Sequence, residues 1–483
     1  MIELKNVSFA YLSELERKSL CGINLSIHKG EFVLLTGASG CGKTTILRLL
    51  NGLIPNYYEG ELTGEIFVAG KDIAKQPLYE TAMLTGTVFQ NPRTQFYNVD
   101  TTSELAFGSE NQGVPEKEIL DRMEHTVGRF QIERLMKRNI FHLSGGEKQQ
   151  IACASVDVEN TDIILLDEPS ANLDFEATKR LKNIISMWKR EGKTIVAAEH
   201  RIAYLWDMAD RTLVMKDGAV IREWDREAMD LCREEDLAAL GLRSFRQENP
   251  KDVPLPECEE KDEFLLLKDF SFSYEKKAEK FLYSDIRIPL GEIIAVTGDN
   301  GVGKTTFLHC LCGLKRQCKG MVYFREKWWK RKKRSGLMFL VMQDVGHQLF
   351  TESVMDEVLL SMREENGDTA LEILKSLELD GVKERHPLSL SGGQMQRVAV
   401  ASAIASGREI LLFDEPTSGL DYGHMMEMAK LLYRLKQMGK TVLVVTHDSE
   451  FIRACCSRKI VLDNREQVKY GRTKEGRQCL ETI

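Results

Sequence analysis

Gly37-Ala38-Ser39-Gly40-Cys41-Gly42-Lys43-Thr44-Thr45 follows the apolar run Glu31–Thr36 and leads into Thr45–Leu50, whose spacing reads as a helix. The pattern G-x-x-x-x-G-K-[ST] carries chemistry only when it sits between a strand and a helix, and it does so here. Glycines let successive backbone N–H groups turn inward on an anion, and the helix N-terminus adds its positive end. Gly37, Ser39, Gly40, Gly42 and Thr45 are therefore candidates to cradle phosphate oxygens. Lys43 is placed to neutralise the β- and γ-phosphates, and Thr44 to ligate Mg²⁺.

The loop is not alone. Gly298-Asp299-Asn300-Gly301-Val302-Gly303-Lys304-Thr305-Thr306 repeats it, which makes Gly298, Asn300, Gly301, Gly303, Lys304, Thr305 and Thr306 the matching candidates. Leu4–Tyr11 returns as Leu267–Tyr274, Leu143–Glu147 as Leu390–Gln394, and Leu166–Ser170 as Phe413–Thr417. The C-terminal copy loses residues in the loop-rich middle, where a scaffold tolerates loss, and then stays in register. Two complete domains follow, 1–224 and 264–483. The intervening 225–263 matches neither copy; it holds Pro250, Pro254, Pro256 and the acidic Glu257, Glu259, Glu260 and Asp262. It reads as a short helix over Asp225–Leu240 and an extended linker. Within each half, strand runs such as Ile163–Asp167 and Thr194–Ala198 alternate with helical patterns. This predicts an α/β fold with a largely parallel sheet wrapped by helices.

Two further motifs belong to the repeat. Apolar strands end in Asp167-Glu168 and Asp414-Glu415. The aspartates are candidates to hold Mg²⁺, and the glutamates to orient or deprotonate an attacking water. Leu-Ser-Gly-Gly before a helix, at Ser144, Gly145 and Gly146 and at Ser391, Gly392 and Gly393, presents N–H groups to a second anion.

These motifs resemble those of the ABC ATPases, whose signature is LSGGQ, over nearly the whole chain. The resemblance implies P-loop NTPase domains in tandem, paired head to tail with two ATPs between them. It assigns Tyr11 and Tyr274 to adenine stacking and Asp174 and Asp421 to the D-loop. Gln90 and Gln343 become Q-loop residues, counted among both the catalytic and the Mg²⁺-contacting groups, and His200 and His447 the switch histidines. One site would join Lys43, Thr44, Gln90, Asp167, Glu168 and His200 with Ser391, Gly392 and Gly393. The other would join Lys304, Thr305, Gln343, Asp414, Glu415 and His447 with Ser144, Gly145 and Gly146. Both sites keep their lysine, carboxylates and histidine, so both are expected to hydrolyse ATP. Glu147 in place of the signature glutamine, and Gln150 where the second copy has Arg397, are the departures.

Composition narrows the partners. The 483 residues carry a net charge of −7, with 43% hydrophobic and 29% charged residues, which speaks for a globular chain and against nucleic acid. No apolar run approaches the roughly 20 residues of a membrane span, and Met1–Lys5 lacks the features of a signal peptide, so a cytoplasmic chain is expected. The eleven cysteines have no zinc-ligand spacing and read as free thiols. Lys327–Arg334, a basic run with two tryptophans, reads as a solvated hairpin edge.

The segment Phe89–Tyr97, followed by Glu104–Gly108, resembles the Q-loop neighbourhood of the energy-coupling-factor (ECF) ATPases. There a Pro-Asp-x-Gln pattern opens a short helix that receives the membrane partner. Arg93 stands at the usual acidic place, and the second copy, Gln343–Phe350, lacks the proline. The resemblance implies the motor of an importer of vitamins or transition metals, peripheral on the cytoplasmic face of the membrane. An integral-membrane coupling subunit and a small substrate-binding membrane subunit would be its partners. A fused motor of a sugar importer is the alternative, and a soluble ribosome-associated protein a more distant one.

Overall fold

The computed structural model describes residues 1–255, 263–273, 281–282, 286–462 and 468–470. The chain forms two compact units, Met1–Gln247 together with Gly419–Gly423, and Glu248–Ser418 together with the chain from His424 onward.

In the first unit the strand runs rich in aliphatics assemble into a six-stranded sheet. Its order is Ala219–Asp225, Arg211–Lys216, Phe32–Gly37, Thr194–Ala198, Ile163–Asp167, Thr85–Val88. All neighbours are parallel except the first pair, a hairpin at the edge. Strands buried on both faces need apolar residues at every position, and Phe32–Gly37, Ile163–Asp167 and Thr194–Ala198 are buried throughout. Along Phe32–Gly37 side chains alternate between two cores. Phe32 and Leu34 pack with Leu105, Phe130, Ile151 and Trp188 of the helices. Val33 and Leu35 pack with Ile2, Leu4, Phe9 and Leu50. The strand that carries the glycine loop is thereby gripped on both sides.

The largely parallel sheet expected from the sequence is present in each unit, and the structure adds a second, antiparallel sheet to each. In the first, Leu20–Ile27, Ile2–Tyr11, Gly60–Val68 and Lys71–Asp72 form an antiparallel sheet. Its alternation slips at Asn6, which adopts φ 50° where the register to the strand Gly60–Val68 shifts. Gly64, opposite, has φ 91°, and a Cβ there would meet the Asn6 carbonyl oxygen at 2.5 Å. Asp269 (φ 53°) and Gly320 (φ 91°) repeat the same bulge. A bulge of this kind bends the strand and breaks its period of two.

The second unit repeats the plan. Met338–Val341, Ile410–Asp414, Thr441–Val445, Ile293–Thr297, Arg458–Leu462 and Val468–Tyr470 form its six-stranded sheet, parallel but for the last pair. Phe264–Phe272 lies in its antiparallel sheet between Phe281–Leu282 and Lys319–Phe324, with Lys327–Trp329 beyond and Arg287–Pro289 also paired to it.

Two other expectations change. The stretch after Asp225 is two short helices, Arg226–Leu231 and Glu234–Ala239, because Cys232 is extended between them. Met229, Leu237 and Leu242 join the first unit's core, and Phe245 stacks on Trp206 at 5.5 Å. Beyond Gln247 the chain binds the second unit: Lys251 Nζ pairs with Asp299 Oδ1 at 2.8 Å, and Lys459 Nζ donates to the Val253 carbonyl at 3.0 Å. The acidic cluster at 257–262 lies outside the described residues. The basic run is a hairpin edge only in part: Lys332 and Lys333 are exposed, whereas Arg334 is fully buried. Its guanidinium donates to the carbonyls of Cys310 (3.1 Å), Gly320 (2.5 Å) and Trp329 (3.4 Å) and stands 4.6 Å from the Phe270 ring centroid. Every cysteine among the described residues is a free thiol. Among those residues no group of three or more His, Cys, Asp or Glu gathers as a metal site, and no helix is long and apolar enough to cross a membrane.

Candidate functional site

Each glycine loop leaves the C-terminal end of a central parallel strand and ends at the first residue of a helix, Lys43–Leu50 in one unit and Lys304–Leu311 in the other. Close approach demands the first glycine. Gly37 has φ 146°, and a Cβ there would meet the Met215 carbonyl oxygen at 2.2 Å; Gly298, with φ 150°, would meet that of Leu462 at 2.6 Å. Both loops hold their lysine the same way. Lys43 Nζ donates to the Gly37 and Ala38 carbonyls at 3.0 and 3.1 Å, and Lys304 Nζ to those of Gly298 and Asp299 at 3.0 Å each. The ammonium groups are thus curled back over their own loops.

The acidic strands arrive alongside. Thr44 Oγ1 donates to Asp167 Oδ1 at 2.9 Å and Thr305 Oγ1 to Asp414 Oδ1 at 3.1 Å. Burial pushes both aspartate carboxyls above their ordinary value, and the threonine bonds offset part of that. Hydroxyl and carboxylate oxygens this close are a hard-cation donor pair, and the charge of a divalent ion would relieve the desolvated carboxylate.

Glu168 and Glu415 follow with φ 43° and 48°, held there by backbone bonds to Ala198 (2.8 Å) and Val445 (2.9 Å) on the next strand. That neighbouring strand leads to the histidines. His200 Nε2 lies 3.1 Å from Glu168 Oε1, and His447 Nε2 3.2 Å from Glu415 Oε1. Burial lifts the Glu168 carboxyl, but the bond and charge of His200, with Lys43 beyond, hold it below its ordinary value. An ionised carboxylate beside a histidine is suited to accept a proton from water. Gln90 Nε2 donates to Glu168 Oε2 at 2.7 Å. The structure therefore gathers Gln90 to the glutamate, where the sequence reading also counted it with the Mg²⁺ ligands at Thr44 and Asp167. Gln343 is exposed.

Tyr11 lies beside the loop helix. Its hydroxyl is 3.2 Å from Thr45 Oγ1 and accepts from Arg48 Nη1 at 2.9 Å, and Tyr58 packs edge-on to its ring at 6.1 Å. Thr45 is buried and turned to Tyr11. Tyr58, also 4.1 Å from the Arg48 guanidinium, had no signal in the sequence reading. Tyr274 lies outside the described residues.

Ser144 and Ser391 are the N-caps of the helices Gly145–Glu159 and Gly392–Ala405. Ser144 Oγ accepts from the Glu147 N–H at 3.3 Å while the Glu147 carboxylate accepts from the Ser144 N–H at 2.9 Å; Gln394 makes the same reciprocal pair with Ser391. Glu147 thus fills the glutamine's role and adds a charge. Burial acts to raise its carboxyl, but the Ser144 bonds and the charges of Arg138 and Arg134 hold it below its ordinary value. Asp174 caps the helix Phe175–Arg190 through the Ala177 N–H at 2.7 Å. The sequence reading also missed Glu199, fully buried next to His200, although the change to Thr446 in the second copy signals it.

A sequence profile of the family described as ABC transporter matches residues 20–171 and 283–418. A Treponema denticola chain described as an ABC transporter ATP-binding protein is 45% identical over 97% of this chain and 96% of its own length. A Methanosarcina mazei chain of the same description is 32% identical, with 98% and 89% covered. Among solved structures, the archaeal ribosome recycling factor aABCE1, in complex with the ribosomal stalk protein aP1, has a TM-score of 0.62 at 22% identity. It covers 92% of this chain and 84% of that one, and the likeness is one of fold. Matches of this extent, running through both halves, place the chain in the ABC transporter family as an ATPase with two nucleotide-binding halves in tandem.

Proposed function

We propose that this ATPase drives a membrane partner of the ECF importer class, with one ATP held on each glycine loop. The halves are assigned as 1–224 and 264–483, and each ATP is completed by the other half's Ser144–Gly146 or Ser391–Gly393 segment. Mg²⁺ with ATP supplies charge neutralisation on the phosphates, and Thr44 with Asp167, and Thr305 with Asp414, are the groups that would hold the ion. The remaining work falls to side chains. Lys43 and Lys304 leave their own loop carbonyls to bind phosphate oxygens. Glu168 and Glu415 orient a water and take its proton, while His200 and His447 fix those carboxylates from one side and Gln90 fixes Glu168 from the other.

One observation carries the transport reading. Beside each Q-loop turn stands a large exposed aromatic at the corresponding position, Tyr97 (80% exposed) and Phe350 (73%). Both are set rigidly. Gln95 bonds the Phe89 N–H and the Thr87 carbonyl, and Gln348 the Met342 N–H and the Leu340 carbonyl. Glu104 accepts from the Tyr97 N–H at 3.1 Å and Glu357 from the Phe350 N–H at 3.1 Å. Ordered backbone beneath an exposed aromatic, built twice, favours a docking surface over a slack loop. Peripheral attachment to the cytoplasmic face of the membrane follows from such docking.

The test is to tag the chain, solubilise native membranes in mild detergent and identify what co-purifies by mass spectrometry. A small integral-membrane scaffold with tiny hydrophobic substrate binders supports the ECF reading. A permease with a sugar-binding protein supports the sugar-importer alternative. Ribosomes without membrane protein overturn both.

A further inference from the structure

The two halves differ at one fully buried cluster beside the switch histidines. In the first half the residue before the histidine is Glu199 and the fourth after it is Tyr204; in the second these are Thr446 and Phe451. Glu199, Tyr204 and Ser170 are each at most 1% exposed. Glu199 Oε1 accepts from the Tyr204 hydroxyl at 3.0 Å, from the Ser170 N–H at 3.3 Å and from the Ser170 hydroxyl; Oε2 accepts from the His200 N–H at 3.0 Å. The Glu199 N–H donates to Leu35 of the strand that feeds the glycine loop, at 2.9 Å. One carboxylate therefore ties together the turn that follows Glu168, the histidine itself and the helical turn Ile202–Tyr204.

Such a group is expensive for the fold. Burial disfavours its ionised form, as does the Glu168 charge, and the Ser170 and Tyr204 hydroxyl bonds with the His200 charge offset only part of that. The second half shows that folding does not require it: Thr417 and Thr446 meet there through hydroxyls 3.5 Å apart, and Thr446 Oγ1 accepts from the Asp448 N–H at 3.1 Å. What Glu199 adds is placement. Ser170 lies two residues after Glu168, and His200 is the partner of Glu168 at 3.1 Å. Fixing Ser170 and the His200 N–H to one rigid group fixes the separation of the two side chains that act on the water.

We infer that Glu199, with Tyr204, is a positioning residue that holds the Glu168–His200 pair in register, a device whose residues the second half replaces with Thr446 and Phe451. The inference rests on the reading of Glu168 as the general base. The test uses the full-length protein with Glu199→Thr and Tyr204→Phe together, which installs the second half's own residues. The expected result is loss of most of the turnover that Glu168→Gln removes, about tenfold or more in the first half's share of kcat, with KM for ATP and the ATP-induced rise in Tm preserved. Tyr204→Phe alone, which removes one donor and keeps the carboxylate and the volume, gives a smaller fall in kcat at the same KM. Unchanged kcat in the double variant overturns the inference. So does a joint loss of Tm, ATP binding and kcat in both variants, which would make the cluster part of the scaffold only. Glu168→Gln is run beside them. If it keeps wild-type turnover, the assignment of the base has failed; if it lowers kcat while the cluster variants are unaffected, the positioning role alone has failed.

Discussion

Asp167 shows the conflict between stability and chemistry at one residue. Burial raises its carboxyl above the ordinary value, with the Thr44 bond and the Lys43 and Arg48 charges working against that. For a carboxyl raised in the folded state, stability is greatest below the unfolded value and falls as pH climbs through the folded one. The ionised aspartate thus strains the nucleotide-free fold at neutral pH. Asparagine keeps an acceptor for Thr44 Oγ1 and removes the charge. Asp167→Asn is expected to raise Tm at neutral pH in the absence of nucleotide and Mg²⁺, by roughly 2–4 °C per kcal/mol relieved. The gap to wild type should close on acidification, while ATP turnover falls by the share of the first site. Thermal denaturation across pH measures it, and a variant less stable than wild type at pH 7 would contradict the argument. Functional residues that destabilise their fold are a common trade.

Two elements make predictions of their own. The hairpin edge Lys327–Trp329 and the turn after it are anchored from beneath by Arg334, whose donors occupy carbonyls of Cys310, Gly320 and Trp329. Removing a buried guanidinium strands those acceptors, so Arg334→Met should destabilise the protein by about 3 kcal/mol or more. Lysine, with a point charge in place of the planar fork, should restore only part. Denaturant titration of the three proteins reads this directly. At the Q-loop turns the clamp formed by Gln95 and Gln348 moves the cleaner uncoupling test away from those glutamines, since replacing them would release the backbone next to Gln90 and Gln343. Tyr97 and Phe350 project from that backbone instead. Tyr97→Ser with Phe350→Ser should leave ATPase of the free protein within about twofold, as surface changes do. Recovery of membrane partners from detergent should fall about tenfold or more, as when a central aromatic anchor is lost. ATPase and partner recovery falling together would return these aromatics to the scaffold.

Across the whole molecule, what could be read in advance follows the strictness of the chemistry. A phosphate loop admits few residue types at fixed spacing, so Gly37–Thr45 and Gly298–Thr306 were legible, as were the strands ending at Asp167 and Asp414. The antiparallel sheets were not, because the bulges at Asn6 and Asp269 interrupt the alternation that marks a strand. Arg334 sits among residues that are solvated, and nothing local distinguishes it. Glu199 becomes visible only when the copies are laid over each other. The same duplication frames the last prediction. Both halves hold a histidine on a glutamate, at 3.1 and 3.2 Å, while the loop lysines bond their own loop carbonyls and the loop threonines bond Asp167 and Asp414. Chemistry and nucleotide binding should therefore separate. Glu168→Gln with Glu415→Gln is expected to lower kcat by about a hundredfold or more. ATP should still stabilise the variant, by about 2.7 kcal/mol for each site filled at 100 times its Kd. Lys43→Ala with Lys304→Ala should lose that stabilisation as well, because the lysines are the groups proposed to meet the phosphates. Steady-state ATPase beside thermal denaturation with and without ATP distinguishes the pairs. A glutamine variant that turns over at the wild-type rate would remove Glu168 and Glu415 from the chemistry, and one that no longer responds to ATP would make them binding groups.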